Sequence, residues 1–359
     1  MTDNTSLKLI FSTNKQTRYG ASSVGGFADR IKGAATAFIL AKLFNRKFYI
    51  DWSLPEEVEN IFRVQPKFKL PASLHHDGSR QFKTLDLIDI HSRNLLDYEL
   101  KLALKYRHKK SIFGKNDMYL IHANFFDMSL FSAVIDDVFE AFGITQAENQ
   151  NENFLFRTIF NELFYYANPL EKKPPNEALT AIRNANDLLV GVHFRTGANV
   201  NWSDPEMDSE DNWRLVVKAC QTFAAQNAGQ KIGFIVASDN PACRQKISDT
   251  LHREFPVFTF SSEIFHLERS ALKLNTQPPL SDVFFEHSCL SIADVVICGS
   301  GGFAQTASAI GGGKLYLYSD LIAPVDQKRA LSAPKKLAQN LLTDRLKRLL
   351  IRAKYPFRC

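Results

Sequence analysis

The chain is 359 residues long, more than one compact core usually holds, so two domains of roughly 150 residues each are expected. Hydrophobic residues make up 45% and charged residues 23%, the profile of an ordinary globular protein, which excludes a disordered chain. A formal charge of +6 favours anionic partners, phosphate-bearing substrates among them, without choosing one.

In chain order, residues 7–11 read as a strand, a polar loop with glycines runs to Gly26, residues 27–44 read as a helix and 47–51 as a second strand. That order is a βαβ unit and predicts a right-handed crossover in a parallel sheet. The longest apolar run, 33–44, is short and contains Lys42, so it reads as a buried helix rather than a bilayer span. A strand is expected at 118–121 and helices at 130–142 and 153–166. Residues 171–177, EKKPPNE, have the composition of an interdomain linker.

Beyond it, strands at 188–194, 232–237, 257–260, 294–298 and 314–318 alternate with helices at 213–226, 242–254, 282–292 and 303–310. This alternation predicts a doubly wound sheet. The tail from Lys328 to Arg358 is basic and partly amphipathic, suited to an anionic membrane surface or to packing back on the protein. It lacks an aromatic-interleaved basic motif, so nucleic acid is not expected as a partner.

Five cysteines, Cys220, Cys243, Cys289, Cys298 and Cys359, form no CxxC pair and are odd in number, which suggests neither a disulfide framework nor a zinc site. The first 15 residues lack the basic-then-apolar pattern of a signal peptide. A reducing, cytoplasmic setting fits both features.

Three stretches could carry chemistry. In GVHFRTG, His193 and Arg195 stand two apart at the carboxyl end of a strand, so both point to one face. A guanidinium fork at that edge of a doubly wound sheet suits a diphosphate; the plain alternative is a surface Arg paired with a carboxylate. In CGSGGFAQTASA, a glycine-rich turn joins a strand to a helix. Its free amides and the helix dipole make an anion site, with Ser300 and Thr306 as hydroxyl donors and Gly301 and Gly302 allowing close approach. Any βα unit also needs a tight turn there.

Asp282 and Glu286, four apart on one helix face, could accept hydrogen bonds from a guanine edge or lie on a solvated face. Asp239, in ASDNP, is either a crevice acid or a helix cap. The third stretch, GASSVGGFADRIKG, has glycines at 20, 25, 26 and 33, which is not GxGxxG spacing, although Asp51 would imitate a ribose-binding acid.

Taken together, residues 25–52, GGFADRIKGAATAFILAKLFNRKFYIDW, resemble the opening segment of NodZ-like bacterial fucosyltransferases. GVHFRTG resembles the HxR motif of the α-1,6- and protein O-fucosyltransferase superfamily, and SDVFFEHSCLSIADVVICGSGGFAQTAS is similar to its third motif. The resemblance implies an α/β fold of the GT-B class, two Rossmann-like doubly wound domains facing a central cleft. It implies an acceptor-side domain over 1–175, a GDP-sugar domain over 176–325 and a basic helical tail over 326–359.

It further implies inverting transfer of a sugar, fucose in the first place, from a GDP-sugar to a glycan or glycolipid acceptor, with no metal and no cofactor. By motif, Arg195 would hold the diphosphate, and His193 and Glu286 would lie near the guanine. Gly25, Gly26, Asp239, Asp282, Ser300, Gly301 and Gly302 complete the implied donor site. Two departures stand out: Thr196 occupies the place of a second basic residue, and Gly301-Gly302 the place of a Ser-Ser pair. Asp29, Asp51 and Asp127 are candidates for an acceptor-activating base. The rival readings are a non-catalytic GDP-sugar or glycan binder and an NAD-linked oxidoreductase.

Overall fold

A computed structural model describes residues 7–17, 20–23, 25–52, 61–74, 83–88, 94, 97–98, 118–147, 150–171, 176–199, 202–203, 209–261, 280–299 and 301–322. The tail 326–359, with Cys359, lies outside them, as does most of the expected linker. The chain divides into two units. The first comprises Met1–Asn176, Phe265–Ile292 and Gly302–Gly313; the second comprises Glu177–Ile264, Ala293–Gly301 and Lys314–Cys359.

The first unit opens with β1 (Lys8–Ser12), the hairpin β2 (Asn14–Thr17) and β3 (Gly20–Ser23), α1 (Phe27–Leu43) and β4 (Lys47–Asp51). The hairpin occupies the stretch expected to be loop throughout. Then come β5 (Phe62–Val64), β6 (Lys83–Asp86), β7 (Met118–His122), α2 (Ile135–Ala141), α3 (Glu152–Leu163) and β8 (Phe164–Tyr166). The helix expected over 153–166 stops at Leu163 because Phe164–Tyr166 pairs antiparallel with β5 instead.

β1, β4, β6 and β7 form a parallel sheet in the order β4-β1-β7-β6. Nearly every residue of α1 from Phe27 to Ala41 is buried, as a helix apolar on all sides must be. Asp29 in its first turn and Lys42 in its last suit the helix dipole, and Asn45 closes it with a positive φ of 49°. Gly33 makes the seating close: a Cβ there would lie 1.9 Å from the Ala123 carbonyl oxygen beyond β7.

The second unit runs α4 (Glu177–Ala185), β9 (Leu188–Phe194), the small hairpin β10 (Ala198–Asn199) and β11 (Trp202–Ser203), α5 (Trp213–Gln226), β12 (Ile232–Ser238), α6 (Pro241–Leu251) and β13 (Val257–Thr259). The remaining chain gives α7 (Leu280–Ser291), β14 (Val295–Cys298), α8 (Gly302–Gly311) and β15 (Lys314–Leu317). The second sheet is parallel, in the order β13-β12-β9-β14-β15. Its inner strands read as continuous apolar runs because helices cover parallel sheets on both faces.

α7 and α8, expected in the second domain, group with the first unit. Leu280 and Phe284 of α7 and Ala309 and Ile310 of α8 are buried in the aromatic core of that unit, where Phe284 lies 4.7 Å from Phe27 and 5.2 Å from Phe62 between ring centroids. The core of the second unit is Val190, Val192, Phe194, Val216, Cys220, Phe234, Val236, Ile247 and Ile297 with their neighbours. The four described cysteines are buried free thiols. Among the described residues, no helix is long and apolar enough to cross a membrane.

Candidate functional site

In the second sheet the chain winds from β9 outward through β12 to β13, then returns to the other side of β9 for β14 and β15. The topological switch point therefore lies between β9 and β14, and in open α/β sheets the crevice outside the carboxyl ends of such strands is where ligands bind. Two stretches leave the sheet there, Arg195–Gly197 after β9 and the chain from Gly299 after β14. The Gly299 N–H donates to the His193 carbonyl at 3.4 Å and ties them together.

Asp239, one residue past the end of β12, organises the first stretch. Its Oδ1 accepts from the Thr196 N–H at 2.8 Å and from the Thr196 hydroxyl at 3.3 Å, and its Oδ2 accepts from the Gly197 N–H at 2.9 Å. The Arg195 Nε stands 4.0 Å from the same Oδ2. Burial pushes the Asp239 carboxyl above its usual range, opposed by those amides and by the guanidinium. The helix cap lies next door: Asn240 Oδ1 accepts from the Cys243 N–H at 3.1 Å and Pro241 opens α6, so Asp239 is not the cap.

Arg195 thus leaves the sheet on a turn braced by a buried carboxylate, and its side chain keeps 19% of its surface exposed. Gly301 has a φ of 138°, a backbone conformation that favours glycine, and a Cβ there would lie 3.6 Å from the Arg195 Cδ. His193 is buried, and burial, with the Arg195 charge second, lowers its pKa to about 3. Its imidazole is neutral at physiological pH and can offer one donor or one acceptor to a neutral polar edge. The structure brings His193, Arg195, Asp239 and Gly301 together in one unit; Ser300 lies outside the described residues.

The other expected donor residues belong to the first unit. Gly25 and Gly26 lead into α1, where the Gly26 N–H donates to Asp29 Oδ2 at 3.1 Å. Gly302 is the first residue of α8, and a Cβ on it would lie 2.9 Å from the Lys32 Nζ. Burial lowers the Lys32 pKa, opposed by the charges of Asp29 and Glu152. Asp282 and Glu286 are half-buried on α7. The base candidates hold local structure: Asp29 caps α1, Asp127 Oδ1 accepts from the Ser129 N–H at 2.9 Å, and Asp51 Oδ2 accepts from the Ser12 hydroxyl at 2.8 Å.

Sequence reasoning missed Thr196 as an anchoring group. It read position 196 for the charge it lacks, and the ASDN and RTG stretches give no sign that they meet. It also missed the purpose of Asp294 in the third motif. Asp294 sits at the amino end of β14, paired with both Arg183 Nη atoms and accepting from the Leu189 N–H at 2.8 Å. It fastens α4 and the start of β9 to the opposite end of the sheet from Arg195.

No protein-family model matches the chain, and no curated protein matches it. Solved structures do. A mutant of FUT1 from Arabidopsis thaliana in complex with GDP is 13% identical, with 87% of this chain and 70% of that one covered, at a TM-score of 0.54. NodZ α-1,6-fucosyltransferase soaked with GDP-fucose is 12% identical, covering 84% of this chain and 92% of that one, at a TM-score of 0.45. POFUT1 in complex with GDP is 10% identical, covering 88% and 98%, at a TM-score of 0.43. At 13% identity the likeness to FUT1 is one of fold: the chain has the two-unit α/β architecture of the GT-B class.

Proposed function

We propose that this chain is a glycosyltransferase that moves a sugar, fucose in the first place, from a GDP-sugar to a glycan acceptor, with inversion and without a metal. The observation that carries the reading is Arg195, braced by Asp239 and partly exposed beside Gly301 at the switch point of the second sheet. The fold likeness to FUT1, solved in complex with GDP, supports the nucleotide, and the motif resemblance supports fucose.

In this reading an acceptor hydroxyl oxygen attacks the anomeric carbon, the bond from that carbon to the β-phosphate oxygen breaks, and GDP leaves with the electron pair. The acceptor proton passes to a base. Negative charge grows on the β-phosphate as the bond opens. In this reading the Arg195 guanidinium stabilises it, from a partly buried position where such a donor acts strongly. The neutral His193 suits a guanine edge better than a phosphate, since it carries no charge to offer one.

The test is turnover by Arg195→Ala. Losing one charge-stabilising donor of this kind costs on the order of a hundredfold or more in rate. The expected result is a folded variant with GDP-sugar turnover reduced at least that far; wild-type turnover would remove Arg195 from the mechanism.

A further inference from the structure

In the second unit the tripeptide Ser238-Asp239-Asn240 joins β12 to α6, and all three residues are buried. Its middle residue braces the turn of Arg195 through the amides of Thr196 and Gly197. The outer two are engaged as well. The Ser238 Oγ accepts from the Asn240 N–H at 3.1 Å. The Asn240 side chain works in two directions: Oδ1 accepts from the Cys243 N–H at 3.1 Å, and Nδ2 donates to Glu210 Oε1 at 2.9 Å. Glu210 opens the short helix Glu210–Asn212 ahead of α5, and its carbonyl receives the Cys243 thiol at 3.8 Å.

The orientation of that amide follows from its neighbours. A carboxylate only accepts, so the NH2 group must face Glu210, and the oxygen is left for the Cys243 N–H. A cap alone does not call for asparagine, since serine and aspartate cap equally well. What asparagine adds is an NH2 group for a carboxylate while its oxygen stays on the cap. Residue 240 is thereby fixed through its backbone N–H and both ends of its side chain, directly after Asp239.

We propose that Asn240 and Glu210 are positioning residues for the donor site: their bond fixes residue 240, which holds the Asp239 carboxylate where it sets the turn of Arg195. The inference rests on the GDP-sugar reading above. A carboxylate has no hydrogen bond to offer a diphosphate, so Glu210 acts through Asn240 and Asp239. A slack turn is competent for only a fraction of the time, and apparent donor affinity falls by that fraction. Once the donor is bound the turn is ordered again, so the loss falls on binding and turnover of the bound donor changes little.

The test compares Asn240→Ser, which keeps a capping oxygen and gives up the NH2 group, with the double variant Asn240→Asp, Glu210→Gln. In the double variant the bond is rebuilt in reverse, an amide at 210 donating to a carboxylate at 240, with the net charge unchanged. GDP affinity is read by calorimetry, donor KM and kcat from turnover, and folding from the thermal midpoint. Asn240→Ser is expected to fold, with GDP Kd and donor KM raised about fivefold and kcat changed by less than about twofold. The reversed pair is expected to lie within about twofold of wild type in all three constants. A folded Asn240→Ser with wild-type Kd and KM overturns the positioning role and leaves the GDP-sugar reading intact, as does a reversed pair that recovers none of the loss. Should Asn240→Ser fail to fold, Glu210→Ala carries the same expectation, and unchanged constants there overturn the role equally. A wild type that binds no GDP removes the GDP-sugar reading, and this inference with it.

Discussion

At position 239 a carboxylate receives two backbone amides and one hydroxyl from the turn that carries Arg195. Both oxygens are occupied, so the residue acts on the turn and through it on the guanidinium. Asp239→Asn keeps the size but sets an NH2 group against one of those N–H donors. Leaving a buried donor unsatisfied costs about 1–3 kcal/mol. GDP affinity is therefore expected to fall by about tenfold to a hundredfold in Asp239→Asn, measured by calorimetry. Unchanged affinity in a folded protein would mean that the turn holds its shape without the carboxylate.

The elements were legible where burial is simplest. Residues 188–194 and 213–226 were read to the residue, because a central parallel strand is one apolar run and an amphipathic helix shows its period. β5 and β8 were not legible, since three-residue strands leave no period, and the phenylalanines of 153–166 continue a helical pattern that tertiary pairing cuts short. The hairpin at 14–23 was hidden in a polar stretch with no two-residue Asn-Gly or Asp-Gly turn to mark it. Element packing also gives a direct test in α1. Gly33→Ala puts a methyl group 1.9 Å from a backbone oxygen, so helix and strand must separate. Overpacking of this kind costs about 1–3 kcal/mol, and chemical denaturation should show a loss in that range or more. A stability equal to wild type would mean that α1 sits farther from β7 than described.

Across the whole molecule, the class of fold was legible from the alternation of strands and helices, and the switch point followed once the order β13-β12-β9-β14-β15 was known. What sequence could not tell is which body a helix joins. α7 and α8 flank β14 in the chain, yet Phe284 and Ile310 are buried with Phe27 and Phe62 of the first unit. An apolar helix face shows that it will be covered and not by what. The motifs at 193–197 and 298–302 were legible as candidates because arginine and glycine stand at the carboxyl ends of strands, where a doubly wound sheet has its crevice, whereas the bonds from Asp239 to Thr196 and Gly197 join residues 43 and 42 positions apart and leave no local signature.

The central claim is that a braced guanidinium beside a glycine turn grips the diphosphate of a guanine nucleotide. Calorimetric titration of GDP into the wild type and into Arg195→Ala tests it most directly, with UDP, ADP and NAD as comparisons. The account predicts saturable one-to-one binding of GDP to the wild type, weaker binding of the other nucleotides, and a loss of about tenfold to a hundredfold in Arg195→Ala, the size of a lost charged hydrogen bond. A folded wild type that gives no heat with GDP, or an Arg195→Ala protein that binds GDP equally well, would contradict it.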